Sequence, residues 1–253
     1  MNYMFERKAT DFRDIENQTP VIIAEDISVR RNERFILRNI SLVLHQGERL
    51  GLAGPNGSGK STLLKVLSLL IPPSSGRLTV LGFMGDGRSS VTVRRKMSIV
   101  FQQPTTLTGS VLQNVSIPLR MRGLSAREAT KRAYEWLKCF DLEKLAFQRI
   151  HTLSGGELAR LQLARAFAME PEILFLDEPF AAVDATSRSP LKALLREILA
   201  KNKVSLLLIS HDFRDLLDLT ERTLVLLDGH IVAQGKTQTL RIQSPLVREI
   251  FPE

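Results

Sequence analysis

The residues best suited to chemistry form one short run, residues 54–62, between a strand-like apolar segment, Leu50–Ala53, and a helical pattern that begins at Thr62. The first N–H groups of a helix lack internal partners and attract anions, and glycines let a backbone close around phosphate oxygens. In such a loop Lys60 reaches the β- and γ-phosphates, and the Ser61 hydroxyl is a ligand of Mg²⁺. The run therefore predicts a phosphate-binding loop. Its members are Gly54, Pro55, Asn56, Gly57, Ser58, Gly59, Lys60, Ser61 and Thr62.

Polar side chains also follow three apolar runs that are predicted to be core strands. Gln102 follows the first run, the pair Asp177 and Glu178 follows the second, and His211 follows the third. Ligands bind beyond the carboxyl ends of parallel strands, so Gln102 is within reach of the phosphate loop, although a glutamine at a strand end is usually only solvated. Successive strand residues point in opposite directions, so Asp177 is expected to serve the Mg²⁺ shell and Glu178 the attacking water. A histidine in the position of His211 is by itself more often structural.

A second glycine-containing segment, Leu153–Glu157, precedes a helical pattern. Ser154 and Glu157 have the spacing of a capping box, which accounts for a helix start but leaves Gly155 and Gly156 unexplained. Each glycine costs about 0.8–1 kcal/mol relative to alanine in a helix. We therefore expect something to approach this backbone closely, and a second phosphate contact is the obvious candidate.

The elements around these motifs predict an α/β fold. Strands at Val21–Ile23 and Phe35–Leu44 precede the phosphate loop and suggest an antiparallel layer. The pattern is helical between Ser110 and Thr152, where Ser125 opens a capping box, so a helical insertion separates the sheet strands. A hairpin with its turn at Asp228-Gly229 closes the core.

Composition bounds the functional classes. The 253 residues carry a net charge of +8 and one cysteine, Cys139, so an internal disulfide is impossible. The basic residues are dispersed and lack interleaved aromatics, which favours solvated surface or an anionic membrane leaflet over nucleic acid. The apolar runs are too short to span a bilayer and the amino-terminal residues lack a signal-peptide core, so we expect a soluble chain.

Taken together, these motifs resemble the ATP-binding subunits of ATP-binding cassette (ABC) transporters, from about Val21 to Gly235. The resemblance identifies the phosphate loop, the Q-loop glutamine Gln102 and the Leu153–Glu157 signature. It also identifies the Walker B pair Asp177 and Glu178, the D-loop aspartate Asp184 and the switch histidine His211, all in the family's order.

The resemblance implies a RecA-like P-loop NTPase core with an antiparallel β-subdomain and an inserted helical subdomain at about 105–165. Residues 1–20 would be a polar extension, 21–235 the ABC ATPase domain, and 236–253 a short tail without a regulatory domain. It also implies a head-to-tail dimer, expected to be a homodimer, that binds ATP and Mg²⁺. In that dimer Ser154, Gly155 and Gly156 of one protomer cover the γ-phosphate held by Lys60 of the other.

The catalytic roles are likewise implied by the resemblance. Glu178 polarises water, His211 contacts the γ-phosphate, and Gln102 and Asp177 complete the Mg²⁺ shell with Ser61. Two positions depart from the family pattern. The residue that usually stacks on adenine aligns with Arg31, so adenine stacks on this guanidinium or on Phe35 instead. Glu157 replaces the more usual glutamine, and no loss of activity is expected.

The family implies an ATPase at the cytoplasmic face of the inner membrane that energises a separate membrane permease. The stretch from Phe101 to Val115 most resembles importers of tungstate and related oxyanions, which also use an extracytoplasmic substrate-binding protein. Three alternatives remain open: another cargo or an exporter, a mechanical signalling ATPase on a membrane protein, and a cassette that acts on DNA or ribosomes. Cassettes that act on DNA usually contain long coiled coils, and those that act on ribosomes usually contain two phosphate loops. This sequence has no heptad run and only one phosphate loop, which argues against the last alternative.

Overall fold

The computed structural model describes residues 19–84 and 91–252, which form two β-sheets and a group of helices. The strands are β1 Pro20–Arg31, β2 Arg34–His45, β3 Arg49–Ala53, β4 Ser75–Val80, β5 Phe83–Met84, β6 Met97–Val100, β7 Ile173–Asp177, β8 Ser205–Ile209, β9 Arg222–Leu227 and β10 His230–Lys236. The helices are α1 Lys60–Leu67, α2 Val91–Arg95, α3 Val111–Met121, α4 Ala126–Cys139, α5 Gly155–Ala168, α6 Ala185–Asn202, α7 Phe213–Leu219, α8 Thr237–Gln243 and α9 Pro245–Ile250.

The larger sheet has the order β10-β9-β3-β8-β7-β6, and its inner strands are parallel. Strands β7 and β8 are buried along their whole length, which explains their continuous apolar sequence. The predicted closing hairpin is confirmed as β9 and β10, which pair antiparallel. Because parallel strands end at the same edge, this sheet brings together the residues that follow β3, β6, β7 and β8.

The predicted antiparallel layer is confirmed as a second sheet with the order β2-β1-β4-β5. Strands β1 and β2 pair along most of their length, and their inward side chains share a core with α1 and the larger sheet. This layer therefore supports the phosphate loop from one side.

The predicted helical insertion is confirmed by α3, α4 and α5. Ser110, Ser125 and Ser154 each open one of these helices through a complete capping box. Inside the group, the ring of Trp136 lies 5.4 Å from that of Phe167. The aromatic side chains thus hold α5, and with it the signature segment, against α4.

One predicted helix end was wrong. The sequence predicts that Pro72 and Pro73 end the helix after the phosphate loop. Helix α1 instead ends earlier, at Leu67, because Leu69 adopts a left-handed conformation with φ 60°. The tail after Gly235 is helical, and Val247 and Phe251 are buried in the core. The predicted polar extension, apart from residues 19 and 20, lies outside the described residues. The sequence also predicts a loop rich in glycine and serine at 82–90, and its residues 85–90 lie outside the described residues as well. Among the described helices, none is long and apolar enough to cross a bilayer.

A buried ion pair joins the start of the larger sheet to its hairpin. Glu48 Oε1 accepts a 2.7 Å hydrogen bond from Arg222 Nε, and Glu48 Oε2 accepts one from the backbone N–H of His45. The side chains of Glu48 and Arg222 are only 2% and 10% exposed. Removing one partner of a buried pair leaves the other charge desolvated, so this contact is expected to dominate local stability.

We predict that Glu48→Ala lowers the free energy of unfolding by about 3–5 kcal/mol, because Arg222 stays buried without a carboxylate. The matched control is Glu221→Ala, which removes a half-exposed carboxylate that pairs with Arg49 and should cost less than about 1 kcal/mol. Urea unfolding of both variants measures the difference. Equal losses of unfolding free energy in the two variants would contradict the dominant contribution of the Glu48–Arg222 pair.

Candidate functional site

The phosphate loop has a backbone that requires glycine at two positions. Gly54 has φ 151°, and a Cβ there would lie 2.2 Å from the carbonyl oxygen of Leu226. Gly59 has φ 107° and caps α1, and a Cβ would lie 2.8 Å from Leu37 Cδ2. The loop therefore packs tightly on β2 and β9 and leads directly into the amino terminus of α1, where N–H groups are free to bind anions.

Lys60, the first residue of α1, is buried and folds back on the loop. Its Nζ donates hydrogen bonds to the carbonyl oxygens of Gly54 at 2.8 Å and Pro55 at 2.9 Å. Burial lowers the pKa of Lys60, while the nearby carboxylates of Glu178 and Asp177 act in the opposite direction. An ammonium held between neutral carbonyls would gain strongly from a phosphate anion at the same place.

The strand-end residues predicted from sequence meet the phosphate loop in one cleft of about 360 Å³. Its lining residues are Ile36, Asn56, Gly57, Gly59, Lys60, Ser61, Thr62, Gln102, Asp177, Glu178 and His211. The structure therefore brings together Gln102, both Walker B carboxylates and His211 with the loop. Ile36 is the member that sequence reasoning missed, because an apolar residue on an ordinary strand carries no chemical signal.

Asp177 and Ser61 form the part of the cleft best suited to a cation. Burial raises the pKa of Asp177, although a hydrogen bond with the Ser61 side chain and the charge of Lys60 oppose this shift. Asp177 Oδ1 is buried and has no hydrogen-bond partner among the described residues. An unpaired carboxylate oxygen beside a hydroxyl fits a hard, oxygen-preferring cation such as Mg²⁺. No cluster of three or more His, Cys, Asp or Glu side chains able to hold a metal occurs in residues 19–84 and 91–252, which is compatible with a site shared with phosphate oxygens.

Glu178 lies next to His211 at the rim of the cleft. Glu178 Oε2 is 2.8 Å from His211 Nδ1. Burial raises the pKa of Glu178, and the contact with His211 opposes this rise. The Glu178 side chain is 8% exposed and that of His211 is 61% exposed, so the carboxylate is enclosed while the imidazole borders the opening. A desolvated carboxylate held in one orientation is suited to accept a proton from water.

The signature segment, Leu153–Glu157, does not line the cleft that contains the phosphate loop. Ser154 caps α5, and Gly156 lines a separate cavity together with Cys139 and Arg160. A Cβ at Gly155 would lie 2.8 Å from the carbonyl oxygen of Ala182, so this chain's own backbone explains the first glycine. The expected phosphate contact of the two glycines stays a prediction. Gly156 has more room, since the nearest described atom to its Cβ, Asp184 Oδ2, would be 3.9 Å away.

The hairpin of β1 and β2 decides which side chain can face the cleft. Arg31 pairs with Arg34, and Arg30 pairs with Phe35. Directly opposed residues share a face, as do alternate residues of one strand. Ile36 lines the cleft, so Arg31 lies on the same face as Ile36. Phe35 lies on the other face, where the Arg30 guanidinium is 4.7 Å from its ring centre.

Comparison with known proteins gives a consistent result. Residues 37–181 match the family model described as ABC transporter. The probable sulfate/thiosulfate import ATP-binding protein CysA of Chlorella vulgaris is 38% identical over 87% of this chain and 92% of its own length. The taurine import ATP-binding protein TauB of Pseudomonas aeruginosa is 40% identical over 82% of this chain and 79% of its own length. The dimeric, post-hydrolysis structure of the cassette MJ0796 bound to ADP and Pi superposes with a TM-score of 0.79 at 29% identity, covering 85% of this chain and 98% of the other.

The two signature glycines are predicted to respond differently to substitution. Gly155→Ala should lower the free energy of unfolding by about 1–3 kcal/mol, because the new methyl group collides with the backbone of Ala182. Gly156→Ala should leave stability unchanged or slightly raised, because alanine is the better helix former. Thermal unfolding of the two variants provides the measurement, and equal midpoints would contradict the packing contact.

Proposed function

The chain belongs to the ABC transporter family as an ATP-binding and ATP-hydrolysing cassette, and from this premise we propose that it energises import of a small oxyanion through a separate membrane permease. The observation that carries the catalytic part is the 2.8 Å contact between Glu178 and His211 in the cleft of the phosphate loop. The proposed type of cargo is supported by relatives whose names give sulfate, thiosulfate or taurine as the imported compound. All three compounds contain a sulfur oxyanion group. Tungstate remains a prediction within this class.

In the proposed mechanism each residue in the cleft has one task. Lys60 and the loop N–H groups bind the β- and γ-phosphates, and Glu178 accepts a proton from the attacking water. His211 holds Glu178 in place and contacts the γ-phosphate. Ser61, Gln102 and Asp177 would hold Mg²⁺, whose charge would offset that of the phosphates. Arg31 is the proposed contact for adenine. The proposal is supported by the hairpin register, in which Arg31 shares a strand face with Ile36, although Arg31 is not among the lining residues of the cleft.

A second copy of the chain completes the proposed site. Ser154, Gly155 and Gly156 lie outside the cleft of their own chain within the described structure. A head-to-tail partner would bring this helix start over the γ-phosphate and add N–H donors to it. The dimeric state of the MJ0796 cassette supports this arrangement. Gly156 is the better candidate for the phosphate approach, because its surroundings within one chain are open.

A groove of about 540 Å³ between β6 and the helices is the proposed docking site for the permease. Residues 105–107 line one wall, and Met121 and Met169 supply apolar surface, with Met121 75% exposed. Arg122 and Arg165 also border the groove, and burial lowers the pKa of both guanidinium groups. An amphipathic helix with an acidic residue would satisfy both features. Docking there would place the chain at the cytoplasmic face of the inner membrane, with a substrate-binding protein on the opposite side.

We predict that Glu178→Gln retains ATP binding and lowers turnover roughly 100-fold or more, since general-base catalysis contributes about 10²–10⁴-fold. The variant should accumulate as an ATP-bound dimer, measured by size-exclusion chromatography with light scattering alongside phosphate release. Glu197→Gln, a substitution on the exposed surface of α6, is the control and should behave as wild type. Normal phosphate release by Glu178→Gln would remove this residue from the mechanism.

We also predict that Met121→Lys reduces co-purification of a multi-span membrane protein from membranes of the native host, because it adds charge to the apolar part of the groove. ATP turnover of the isolated chain should not change. The control is Met84→Lys, which alters a 64% exposed methionine on β5, away from the groove. Equal recovery of the membrane protein with both variants would refute the docking site.

A further inference from the structure

Opposite charges line the facing sides of α6 and α7. The cations are spaced by four residues along α6, and the carboxylates by three along α7 and its cap, so each set occupies one helix face. We call this arrangement the α6–α7 charge ladder. Its members are Arg188, Lys192, Arg196, Asp212, Asp215 and Asp218.

The inner end of the ladder is centred on Asp215. Arg188 Nη2 lies 2.6 Å from Asp215 Oδ2 and 3.3 Å from Asp212 Oδ2, and Lys192 Nζ lies 3.3 Å from Asp215 Oδ1. The Asp215 side chain is only 2% exposed. A carboxylate so far from water depends on its ion partners, so these contacts hold α6 and α7 in one relative position.

The outer end is more solvated. Lys192 also contacts Asp218, and Arg196 Nη2 lies 3.5 Å from Asp218 Oδ1, where both side chains are about half exposed. Exposed pairs contribute little because water and salt screen them. The ladder therefore has a tight end and a loose end, and the tight end is the one next to His211.

Both chain neighbours of His211 are fixed to the tight end. Ser210 Oγ donates a 3.0 Å hydrogen bond to Asp215 Oδ2 and accepts one from the backbone N–H of Asp212. The His211 side chain itself is mostly exposed, so little packing orients it. Apart from its contact with Glu178, its position depends on the backbone turn that Ser210, Asp212 and Asp215 hold.

The ladder also connects this turn to the start of α6. Asp184 caps that helix by accepting hydrogen bonds from the N–H groups of Thr186 and Ser187. Arg188 follows one turn later. Arg188 thus links the start of α6 to the ion pairs beside His211.

We propose that Arg188 and Asp215 are positioning residues that set His211 against Glu178 for hydrolysis, so that the α6–α7 charge ladder controls the rate of the chemical step rather than nucleotide binding. This inference rests on the role proposed above for His211. It assigns a function in turnover to a buried ion cluster that lies outside the lining of the nucleotide cleft in the described structure.

The test compares Arg188→Met with Arg196→Met in the purified full-length chain. Both substitutions remove one arginine from the same helix face, at the tight and the loose end respectively. Arg188→Met should lower kcat about tenfold or more, since misplacement of a reacting group by about 1 Å can cost roughly 100-fold. Its KM and its affinity for ATP should change less than about twofold, and Arg196→Met should resemble wild type in all three measurements. Arg188→Lys, which keeps the charge, should recover much of kcat.

The outcomes are distinct. Equal kcat values for Arg188→Met and Arg196→Met, expressed per nucleotide-binding site, would overturn the inference. A change in Arg188→Met that affects KM but leaves kcat unchanged would overturn it as well. If Arg188→Met does not fold, Asp215→Asn decides by the same comparison, because it keeps the size of the side chain while removing its charge. The variant His211→Ala distinguishes failure of the proposed catalytic role from failure of the present inference. Wild-type turnover of His211→Ala would refute the proposed role of His211. Slow turnover of His211→Ala together with wild-type turnover of Arg188→Met would refute only the role of the charge ladder.

Discussion

The register of the parallel sheet is the constraint on which the site depends. Leu52 lies opposite Ile209, Ile209 opposite Asp177, and Val100 opposite Leu176, so the strands β3, β8, β7 and β6 end at nearly the same level. The phosphate loop, His211, Glu178 and Gln102 each follow within two residues. A slip of one residue would turn every side chain of a strand to the opposite face. The buried apolar runs that fix the register therefore also fix the geometry of catalysis.

The electrostatics of the cleft would favour a phosphate accompanied by a cation over either one alone. Burial lowers the pKa of Lys60 and raises those of Asp177 and Glu178, so the charged form of each group is disfavoured by the loss of water. A bound phosphate would compensate Lys60, and a divalent cation would compensate Asp177. Neither would be as favourable alone, because a phosphate without a cation also repels the carboxylates. The charges of the cleft are thus complementary to a phosphate and a divalent cation bound together.

The sequence was sufficient to predict the motifs and most of the strands, because glycine spacing, capping boxes and buried apolar runs are local signals. The predicted family is confirmed. The roles of the site residues remain predictions, although most of them line one cleft. Two features depend on distant packing and could not be found locally: Ile36 as a cleft wall, and the contact of Gly155 with Ala182. The charge ladder was missed because its halves lie on different helices, and neither half is unusual by itself.

The first glycine of the signature segment brings the starts of two helices together within one chain. Gly155 allows the start of α5 to pack on Ala182, and Ala182 is two residues before Asp184, the cap of α6. The hydroxyl of Thr186 and the neighbouring donors of Ser187 lower the pKa of Asp184 to about 2, so this cap stays ionised and the turn stays formed. The start of α5 and the start of α6 are therefore held together within one protomer. From that contact α6 extends toward the ion pairs beside His211.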